Sequence, residues 1–241
     1  MSHFYKPNFV GNKTFEYIIK KYNIDVGRQH QIDVEGMKGS ADLARLFAEL
    51  GFKRGVEVGV DRGLYSEFLM KTIPDLKLFG VDPWTREVFE EGNPYKAPVE
   101  YFTECYEETL KRMAPFGKNY KIIKKYSMDA LSDFKDNSLD FVYIDANHDF
   151  INFAMDLQFW LRKVKPGGIM SGHDYAFYSY NKFNHVKRCL NAYAREYRLL
   201  PIFAVMENRE ELKRDRYRSW FYVKPMEEHL GIPGKYSSKK S

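Results

Sequence analysis

Short continuous runs of apolar residues alternate with helical patterns through the middle of the chain. The runs that predict strands are 55–60, 76–81, 120–123, 140–144 and 168–171. The helical patterns between them are 64–71, 99–113, 130–134 and 150–164. Apolar runs without polar alternation are typical of strands that are buried on both faces. This alternation of strands and helices predicts an α/β fold with a doubly wound, mostly parallel sheet.

The two ends of the chain depart from this rhythm. The first 51 residues predict a helical extension with helices at 13–22 and 40–50, and Ser40 is a candidate N-cap of the second. After a helical pattern at 184–197, two apolar runs at 201–205 and 217–223 predict an antiparallel pair of strands that closes the sheet. The expected division is an N-terminal helical extension or cap at 1–51, a main domain at 52–225 and a tail at 226–241.

The composition is that of a globular protein and excludes several other classes. Charged residues make up 29% of the chain, and the formal net charge of +5 is below the excess expected of a dedicated nucleic-acid binder. Cys105 and Cys189 are the only cysteines, too few for a disulfide framework. The first residues lack the apolar run of a signal peptide, and no run of ~18 apolar residues occurs. We therefore expect a cytoplasmic protein with no membrane span.

A loop with two glycines follows the first strand of the main domain. Gly59 and Gly63 allow a tight turn and a close approach of a ligand to bare backbone. The helix that begins at Leu64 adds unpaired N–H groups at its N-terminus. The spacing differs from the G-x-G-x-x-G of dinucleotide sites, and Glu57 before the first glycine suits a ligand with an amino-acid group. The alternative is a plain turn that binds no ligand.

An acidic residue stands at the end of the second strand. Asp82 lies 25 residues after Glu57, close to the spacing at which a carboxylate contacts ribose hydroxyls. Trp84 is a candidate for stacking on an adenine ring. The alternative is an ordinary Asp-Pro turn followed by a tryptophan that packs in the core.

These residues resemble the class I methyltransferases that use S-adenosylmethionine, whose sheet is Rossmann-like. The match includes Glu57-x-Gly59-x-x-x-Gly63, Asp82, Ser127-Met-Asp129 and Asp145, over roughly residues 52–225. The narrower resemblance is to small-molecule and sugar O-methyltransferases related to macrolide-sugar methyltransferases. It depends on three motifs, Asp145-Ala-Asn-His148, Lys165-Pro-Gly-Gly168 and Gly172-His-Asp-Tyr175.

The resemblance implies S-adenosylmethionine as the cofactor and assigns each residue a part of it. Glu57, Gly59 and Gly63 would surround the methionine part, Asp82 would hold the ribose, and residues 128 and 129 would flank the adenine. The complete set of expected cofactor-binding residues is Glu57, Gly59, Gly63, Ser66, Asp82, Trp84, Met128, Asp129 and Asp145.

Four titratable residues follow the next two strands and are the candidates for the chemistry. Asp145, His173 and Asp174 would meet at one edge of the sheet, where they are expected to hold a metal ion that lowers the pKa of a substrate hydroxyl. The resemblance implies magnesium, with His148 as the catalytic base beside Asp145, although His173 stands where that group usually has a carboxylate. In the alternative, Asp145 only touches the cofactor, His148 caps its helix and His173 is a hydrogen-bonded turn residue.

The expected substrate is a small hydroxylated molecule, either a sugar or a natural-product intermediate. Five aromatic residues within 175–183 are expected to form a lid or wall over it, or else a packed loop or an oligomer contact. Phe4, Tyr5 and the two N-terminal helices are expected to cover the same face. Nucleic acid and protein acceptors, a non-catalytic nucleotide-binding scaffold and a metal-dependent hydroxylase are the alternatives, and a homo-oligomer is compatible with the sequence.

Overall fold

The structure is a computed structural model that describes residues 11–27, 29–85, 97–176, 185–197, 199, 201–205 and 218–226. The strands are β1 (Gln31–Val34), β2 (Arg54–Val58), β3 (Lys77–Val81), β4 (Tyr120–Ile123), β5 (Leu139–Ile144), β6 (Val164–Gly172), β7 (Ile202–Val205) and β8 (Trp220–Val223). The α-helices are α1 (Lys13–Lys21), α2 (Ser40–Glu49), α3 (Leu64–Thr72), α4 (Val99–Met113), α5 (Ser127–Ala130), α6 (Phe150–Lys163) and α7 (Val186–Glu196).

All eight strands belong to one sheet in the order β1-β7-β8-β6-β5-β2-β3-β4. Among the strands of the described residues, only β8 runs antiparallel to its neighbours, β6 and β7. This confirms the predicted doubly wound, mostly parallel sheet with an antiparallel closing strand. The strand order reverses between β2 and β5, which pair directly. In such sheets, ligands bind outside the carboxyl ends of the strands at this reversal.

The N-terminal extension differs from the helices expected for it. Besides α1 and α2 it contains β1, which pairs parallel with β7 at the edge of the sheet. The sequence analysis missed this strand because a four-residue segment with polar residues at Gln31 and Asp33 carries too weak an apolar pattern. The extension therefore contributes to the central sheet as well as to the helical layer.

Helix α1 lies at the opposite end of the strands from the predicted ligand edge. Asn12 caps this helix by accepting a hydrogen bond from Phe15 N, and its Nδ2 donates to Lys224 O just after β8. Lys224 N in turn donates to Gly168 O near the start of β6. The expectation that α1 covers the substrate face is therefore wrong. Phe4 and Tyr5 lie outside the described residues.

Aromatic and aliphatic side chains fill both faces of the sheet, as expected for strands without polar alternation. On one face, Phe47 of α2 stacks on Phe141 of β5, with ring centroids 4.4 Å apart. On the other, Trp160 of α6 packs edge-on to Phe134 at 5.3 Å and is fully buried. This two-sided core holds the carboxyl ends of the strands in fixed positions. Within the described residues, no helix combines the length and apolarity needed to cross a bilayer.

Candidate active site

The glycine loop, residues 59–63, touches the end of the neighbouring strand β5. Gly59 has a φ of +88°, and a Cβ built on it would lie 2.0 Å from the backbone oxygen of Asp145. The backbone N of Asp145 also donates to Val58 O at 2.7 Å. Glycine is therefore required at position 59 by both the left-handed backbone and the close contact. The loop and Asp145 form one rigid unit at the strand-order reversal.

Asp82 organises this loop from the end of β3. Its carboxylate accepts backbone hydrogen bonds from Val60 at 2.9 Å, Asp61 at 3.1 Å and Trp84 at 2.7 Å. Burial raises the pKa of Asp82, and the three N–H donors oppose that rise by stabilising the charged form. A carboxylate has about four acceptor positions, so one remains for a ligand donor such as a ribose hydroxyl. The geometry is compatible with the expected ribose contact.

Trp84 packs in the core, and this differs from the expected stacking on adenine. Its side chain is 5% exposed and lies in a cluster with Val60 and Cys105. The indole Nε1 donates to Asp61 O at 2.8 Å, and the ring lies 5.0 Å from that of Tyr106. Against the described residues this ring is packed, so the alternative of a packing tryptophan describes it.

Helix α4 holds the glycine loop from outside, a role the sequence analysis missed. Tyr101 Oη donates to Asp61 Oδ1 at 3.0 Å, and Thr109 Oγ1 donates to Asp61 O or to Cys105 O, each at 2.9 Å. Arg112 Nε donates to Arg62 O at 3.0 Å. Tyr101, Thr109 and Arg112 are spaced by eight and three residues, so they share a helix face. This spacing could have indicated from the sequence that α4 has a polar face with a binding role. It could not have shown that the face contacts the glycine loop.

Glu57 and Ser66 form a buried polar network beneath the loop. The Ser66 hydroxyl donates to Glu57 Oε2 and lies 2.9 Å from Tyr120 Oη. Burial raises the pKa of Glu57 to about 8, and the bond from Ser66 offsets this only in part. A Cβ at Gly80 would lie 2.0 Å from the Tyr120 hydroxyl, so glycine makes room for the network. Contact of Glu57 or Ser66 with a cofactor stays a prediction.

The segment expected at the adenine begins at α5, beside the end of β3. Asp82 N donates to Ile123 O at the end of β4, which brings the two strand ends together. Ser127 then donates to Asp156 of α6 and accepts from Trp160 Nε1 at 2.8 Å. Met128 is half-buried and Asp129 is exposed. Met128 packs against the core of the sheet, and contact of either residue with adenine stays a prediction.

Asp145, His148 and Asp174 converge at the carboxyl ends of β5 and β6. We call them the acid–histidine cluster; each offers one ligand atom, and these atoms all lie within 4.8 Å of one another. His148 Nε2 is 2.9 Å from Asp174 Oδ2 and 3.6 Å from Asp145 Oδ1. This nitrogen is shielded from solvent, yet it is not aligned for a hydrogen bond with either carboxylate. Two carboxylate oxygens, one from Asp145 and one from Asp174, therefore face this nitrogen.

The charges of the cluster determine the protonation of His148. Burial alone would lower the pKa of His148, but Asp145 and Asp174 outweigh that effect and raise it to about 10. Burial would likewise raise the pKa of Asp174, yet His148 and His173 hold it well below its usual range. Without another cation the imidazole is protonated at neutral pH, and a protonated imidazole accepts no proton. A base role for His148 stays a prediction.

His173 lies beside the cluster but is not one of its converging ligands. Its Nδ1 is 3.6 Å from Asp174 Oδ2, and its backbone oxygen accepts a bond from Trp220 Nε1 at 3.0 Å. Among the described residues, the group with metal-ligand geometry contains His148 instead. The predicted metal set of Asp145, His173 and Asp174 is therefore corrected at this one position. The short loop from Asp145 to His148, between β5 and α6, brings the imidazole to the strand ends.

The aromatic segment after β6 contributes one described ring, and it is buried. Tyr175 is fully buried, and its hydroxyl donates to Gln31 Oε1 at 2.9 Å or to Asn191 Oδ1 at 2.8 Å. Tyr175 therefore connects β1 with α7 and does not form part of a lid. Residues 177–183, the rest of the expected lid or wall, lie outside the described residues.

The donor chemistry of the cluster fits a divalent cation. Two carboxylates supply hard oxygen ligands, and the imidazole adds a nitrogen ligand that Mn²⁺, Fe²⁺ and Zn²⁺ accept more readily than Mg²⁺ does. Carboxylates and an imidazole that face one another without hydrogen-bond alignment are the pattern that a shared cation would satisfy. The residues present therefore fit a metal, with His148 in the place expected for His173.

Comparison with known proteins agrees with this architecture. Residues 56–175, about half of the chain, match a protein family described as "Methyltransferase domain". Over 96 residues the chain is 24% identical to an uncharacterized protein, y4gI, of Sinorhizobium fredii, an alignment that covers 40% of this chain and 10% of that protein. The chain thus spans about a tenth of the length of the curated relative it matches.

Several solved structures share the fold at low sequence identity. The O-methyltransferase TomG of Streptomyces achromogenes, involved in tomaymycin synthesis and solved with SAM, has a TM-score of 0.52 at 14% identity and covers 89% of this chain and 90% of its own. An O-methyltransferase of Bacillus cereus in complex with SAH scores 0.52 at 13% identity, covering 88% and 90%. A putative rRNA methylase of Clostridium thermocellum scores 0.54 at 11% identity, covering 78% and 98%.

Proposed function

The chain carries a methyltransferase domain. We propose that this domain is of the class I, S-adenosylmethionine-dependent type and that it transfers a methyl group from this cofactor to an oxygen of a small hydroxylated acceptor. We further propose that a divalent cation at the acid–histidine cluster assists the transfer. The observation that carries this proposal is the contact between the glycine loop and the cluster, because Asp145 belongs to the cluster while its backbone touches Gly59.

Asp82 and the glycine loop are the proposed cofactor contacts. The acceptor position left on the Asp82 carboxylate would take a ribose hydroxyl, and the N-terminus of α3 behind Gly63 would face the methionine carboxylate. Asp129, exposed after β4, would reach the adenine amino group. Support for this cofactor comes from the family match and from the SAM and SAH in the solved structures of TomG and the Bacillus cereus protein.

Methyl transfer to oxygen requires a nucleophile aligned with the sulfonium. The oxygen of the acceptor forms a bond to the methyl carbon while the carbon–sulfur bond breaks, the electron pair of that bond goes to sulfur, and the hydroxyl proton is lost to water. When bound, a divalent cation lowers the pKa of a coordinated hydroxyl. Asp145 and Asp174 would orient the acceptor at the strand ends next to the glycine loop. The protein thereby supplies alignment and charge, which are the two requirements of this reaction.

A hydroxylated small molecule is the acceptor class that this arrangement favours. Cations held by two carboxylates bind neighbouring hydroxyl groups well, because both oxygens enter the coordination sphere together. Catechols and sugar diols are therefore the proposed acceptors. We propose neither a nucleic-acid nor a membrane partner. RNA is nevertheless included in the assay as the competing acceptor, because a putative rRNA methylase has a similar fold.

Methyl transfer from radiolabelled S-adenosylmethionine tests the proposal directly. We expect transfer to catechol or sugar diols, loss of activity in EDTA, and recovery with Mn²⁺ or Mg²⁺. Asp174→Asn should lower turnover at least tenfold, since it removes a cluster carboxylate. Asp133→Asn, a matched change of an exposed aspartate that pairs with Lys125, should retain wild-type turnover. Activity unaffected by EDTA would contradict the metal, and transfer to RNA alone would contradict the acceptor class.

Calorimetry with Mn²⁺, combined with the turnover assay, distinguishes a ligand role of His148 from a base role. As a metal ligand, His148→Gln should weaken Mn²⁺ binding measured by calorimetry by about tenfold or more. As a general base, the same variant should bind Mn²⁺ like the wild type and lose turnover only. We propose the ligand role, because the shielded Nε2 faces both carboxylates without hydrogen-bond alignment. Unchanged Mn²⁺ affinity would contradict it.

A further inference from the structure

A buried acid of α6 contacts the start of α5, and the proposed function gives it no role. Asp156 is 3% exposed, and the other buried residues of its helix are all apolar. Its Oδ1 accepts a hydrogen bond from the Ser127 hydroxyl. Burying a carboxyl group is costly, and an apolar side chain of similar volume would pack here without that cost. The contact with Ser127 is therefore what distinguishes an acid at this position from the apolar residues around it.

The Ser127 hydroxyl lies between two side chains of α6. It donates to Asp156 Oδ1 and accepts a hydrogen bond from Trp160 Nε1 at 2.8 Å. Asp156 and Trp160 are four residues apart, so they lie one above the other on the same face of the helix. A serine hydroxyl has one proton to donate, and here it both donates and accepts. The two bonds together fix the first residue of α5 in position and in rotation relative to α6.

The rest of α5 shows which way the segment faces once Ser127 is fixed. Met128 packs against the core of the sheet, whereas Asp129 is exposed. The backbone N of Asp82 donates to the carbonyl of the last residue of β4, so α5 follows a strand end that lies beside the proposed ribose contact. Rotation of this single helical turn would carry the Asp129 carboxylate away from that contact. The direction of Asp129 therefore depends on the bonds between Ser127 and α6.

We propose that Asp156 is a positioning residue for the adenine end of the cofactor, which acts through Ser127 on the direction of Asp129. This inference rests on the proposed S-adenosylmethionine site and adds to it a residue that does not touch the cofactor. Asp156 holds Ser127, and the segment after Ser127 presents Asp129 to the amino group of the adenine. Affinity for the adenine end then depends on a contact made in the interior, on the side of α5 away from the ligand.

Helix α6 is itself held firmly enough to position another segment. Its inward side chains Phe153, Leu157 and Trp160 are buried in the core of the sheet. Trp160 packs edge-on to Phe134, with ring centroids 5.3 Å apart, and Phe153 packs edge-on to Trp220 at 5.9 Å. Side chains fixed by such packing orient their hydrogen-bond partners more precisely than side chains on mobile loops do. The same helix begins just after the acid–histidine cluster, so one rigid element supports both ends of the proposed site.

Calorimetric titration of the full chain with S-adenosylhomocysteine tests the positioning role. Asp156→Leu should lower the affinity about fivefold or more, because leucine fills the space and offers no acceptor to Ser127. Asp156→Asn should bind like the wild type, since its amide oxygen accepts the same hydrogen bond. Circular dichroism at the titration temperature should show both variants folded. Wild-type affinity in Asp156→Leu, or an equal loss in Asp156→Asn, would overturn the proposal.

A double-mutant cycle with Asp129→Ala separates positioning from a general loss of stability. If Asp156 acts through Asp129, then Asp156→Leu should lower the affinity less in the Asp129→Ala background than in the wild type. Asp133→Ala, at an exposed aspartate that pairs with Lys125, is the matched background, and Asp156→Leu should keep its full effect there. Losses that multiply independently in the Asp129→Ala background would contradict action through Asp129.

Hydrogen exchange without ligand distinguishes a failure of this inference from a failure of the proposed function. The backbone N of Ala130 donates to Tyr126 O at 3.0 Å, and this bond closes the turn of α5. In Asp156→Leu the amide of Ala130 should exchange faster than in the wild type, because the turn has lost one of its two bonds to α6. Unchanged exchange, in a wild-type chain that binds S-adenosylhomocysteine, would overturn the positioning role alone. Absence of binding by the wild type would overturn the proposed function and the role at its adenine end with it.

Discussion

Gly59 is the residue at which the loop for the cofactor and the cluster for the acceptor meet. Two separate requirements apply to it, a left-handed backbone and the absence of a Cβ next to Asp145 O. The sequence predicts the first from the glycine spacing. It does not predict the second, because the contact joins residues 86 positions apart (145 − 59) on two different strands.

Comparing the loss of unfolding free energy in Gly59→Ala with that in Gly36→Ala separates the backbone requirement from the requirement for space. Gly36 has nearly the same φ, +89°, and open space where a Cβ would stand, so its substitution should cost only about 1–2 kcal/mol of unfolding free energy. Gly59→Ala carries the same backbone strain and the contact with Asp145, and should cost clearly more. Urea denaturation of both variants measures the difference. Equal losses would contradict the close contact.

Other site residues show what a single sequence resolves and what it leaves open. Asp82, Asp145 and Asp174 were predicted because each follows a buried strand, and the structure places all three at the carboxyl edge. His148 occupies the place in the cluster that was expected for His173, because the sequence puts both imidazoles near the strand ends and does not show which one converges on the carboxylates. Trp84 was misassigned because its burial depends on α4, which is distant in sequence.

At the scale of elements, α6 connects the chemistry to the adenine side of the site. His148 precedes its first turn, while Asp156 in its second turn accepts a hydrogen bond from Ser127 at the start of α5. Burial raises the pKa of Asp156 to about 7, and the bond from Ser127 offsets this in part. The helix predicted at 150–164 was correct in position. Asp156, predicted only to pack against the sheet, also connects this helix to Ser127 of α5.

The raised pKa of Asp156 predicts a pH dependence of stability. Between its ordinary value near 3.8 and about 7, the folded state holds a proton that the unfolded state has lost, so stability falls as pH rises. Asp156→Asn keeps an acceptor for Ser127 and removes this titration. The urea midpoint of the variant should therefore fall less between pH 5 and pH 8 than that of the wild type. Asp133→Asn, at an exposed position, should follow the wild type; a wild-type slope in Asp156→Asn would refute the assignment.

The elements that the sequence predicted best are those with long or strongly apolar patterns. The five central strands and α3, α4 and α6 were found within a few residues of their observed bounds, because burial on both faces of the sheet leaves a continuous apolar signal. Strand β1 was missed because it is short and half polar. Its place in the sheet depends on pairing with β7, which no local pattern encodes.

At the scale of the whole molecule, the two ends of the parallel strands carry different kinds of residues. The glycine loop, Asp82 and the acid–histidine cluster lie at the carboxyl ends of the parallel strands, while the start of α1 packs against the segment just after β8 at the opposite ends. The reversal of strand order between β2 and β5 brings the loop and the cluster together. A cofactor at the loop and an acceptor at the cluster would therefore be neighbours by virtue of the topology.

The binding of S-adenosylhomocysteine, measured by calorimetry, tests the central claim most directly. We expect micromolar affinity for the wild-type chain. Asp82→Ala should lower that affinity at least tenfold, about 1.4 kcal/mol, because it removes the proposed ribose acceptor and frees the three N–H groups of the loop. Glu107→Ala, at an exposed position of α4, should bind like the wild type. Absence of binding, or an Asp82→Ala variant with wild-type affinity, would contradict the account.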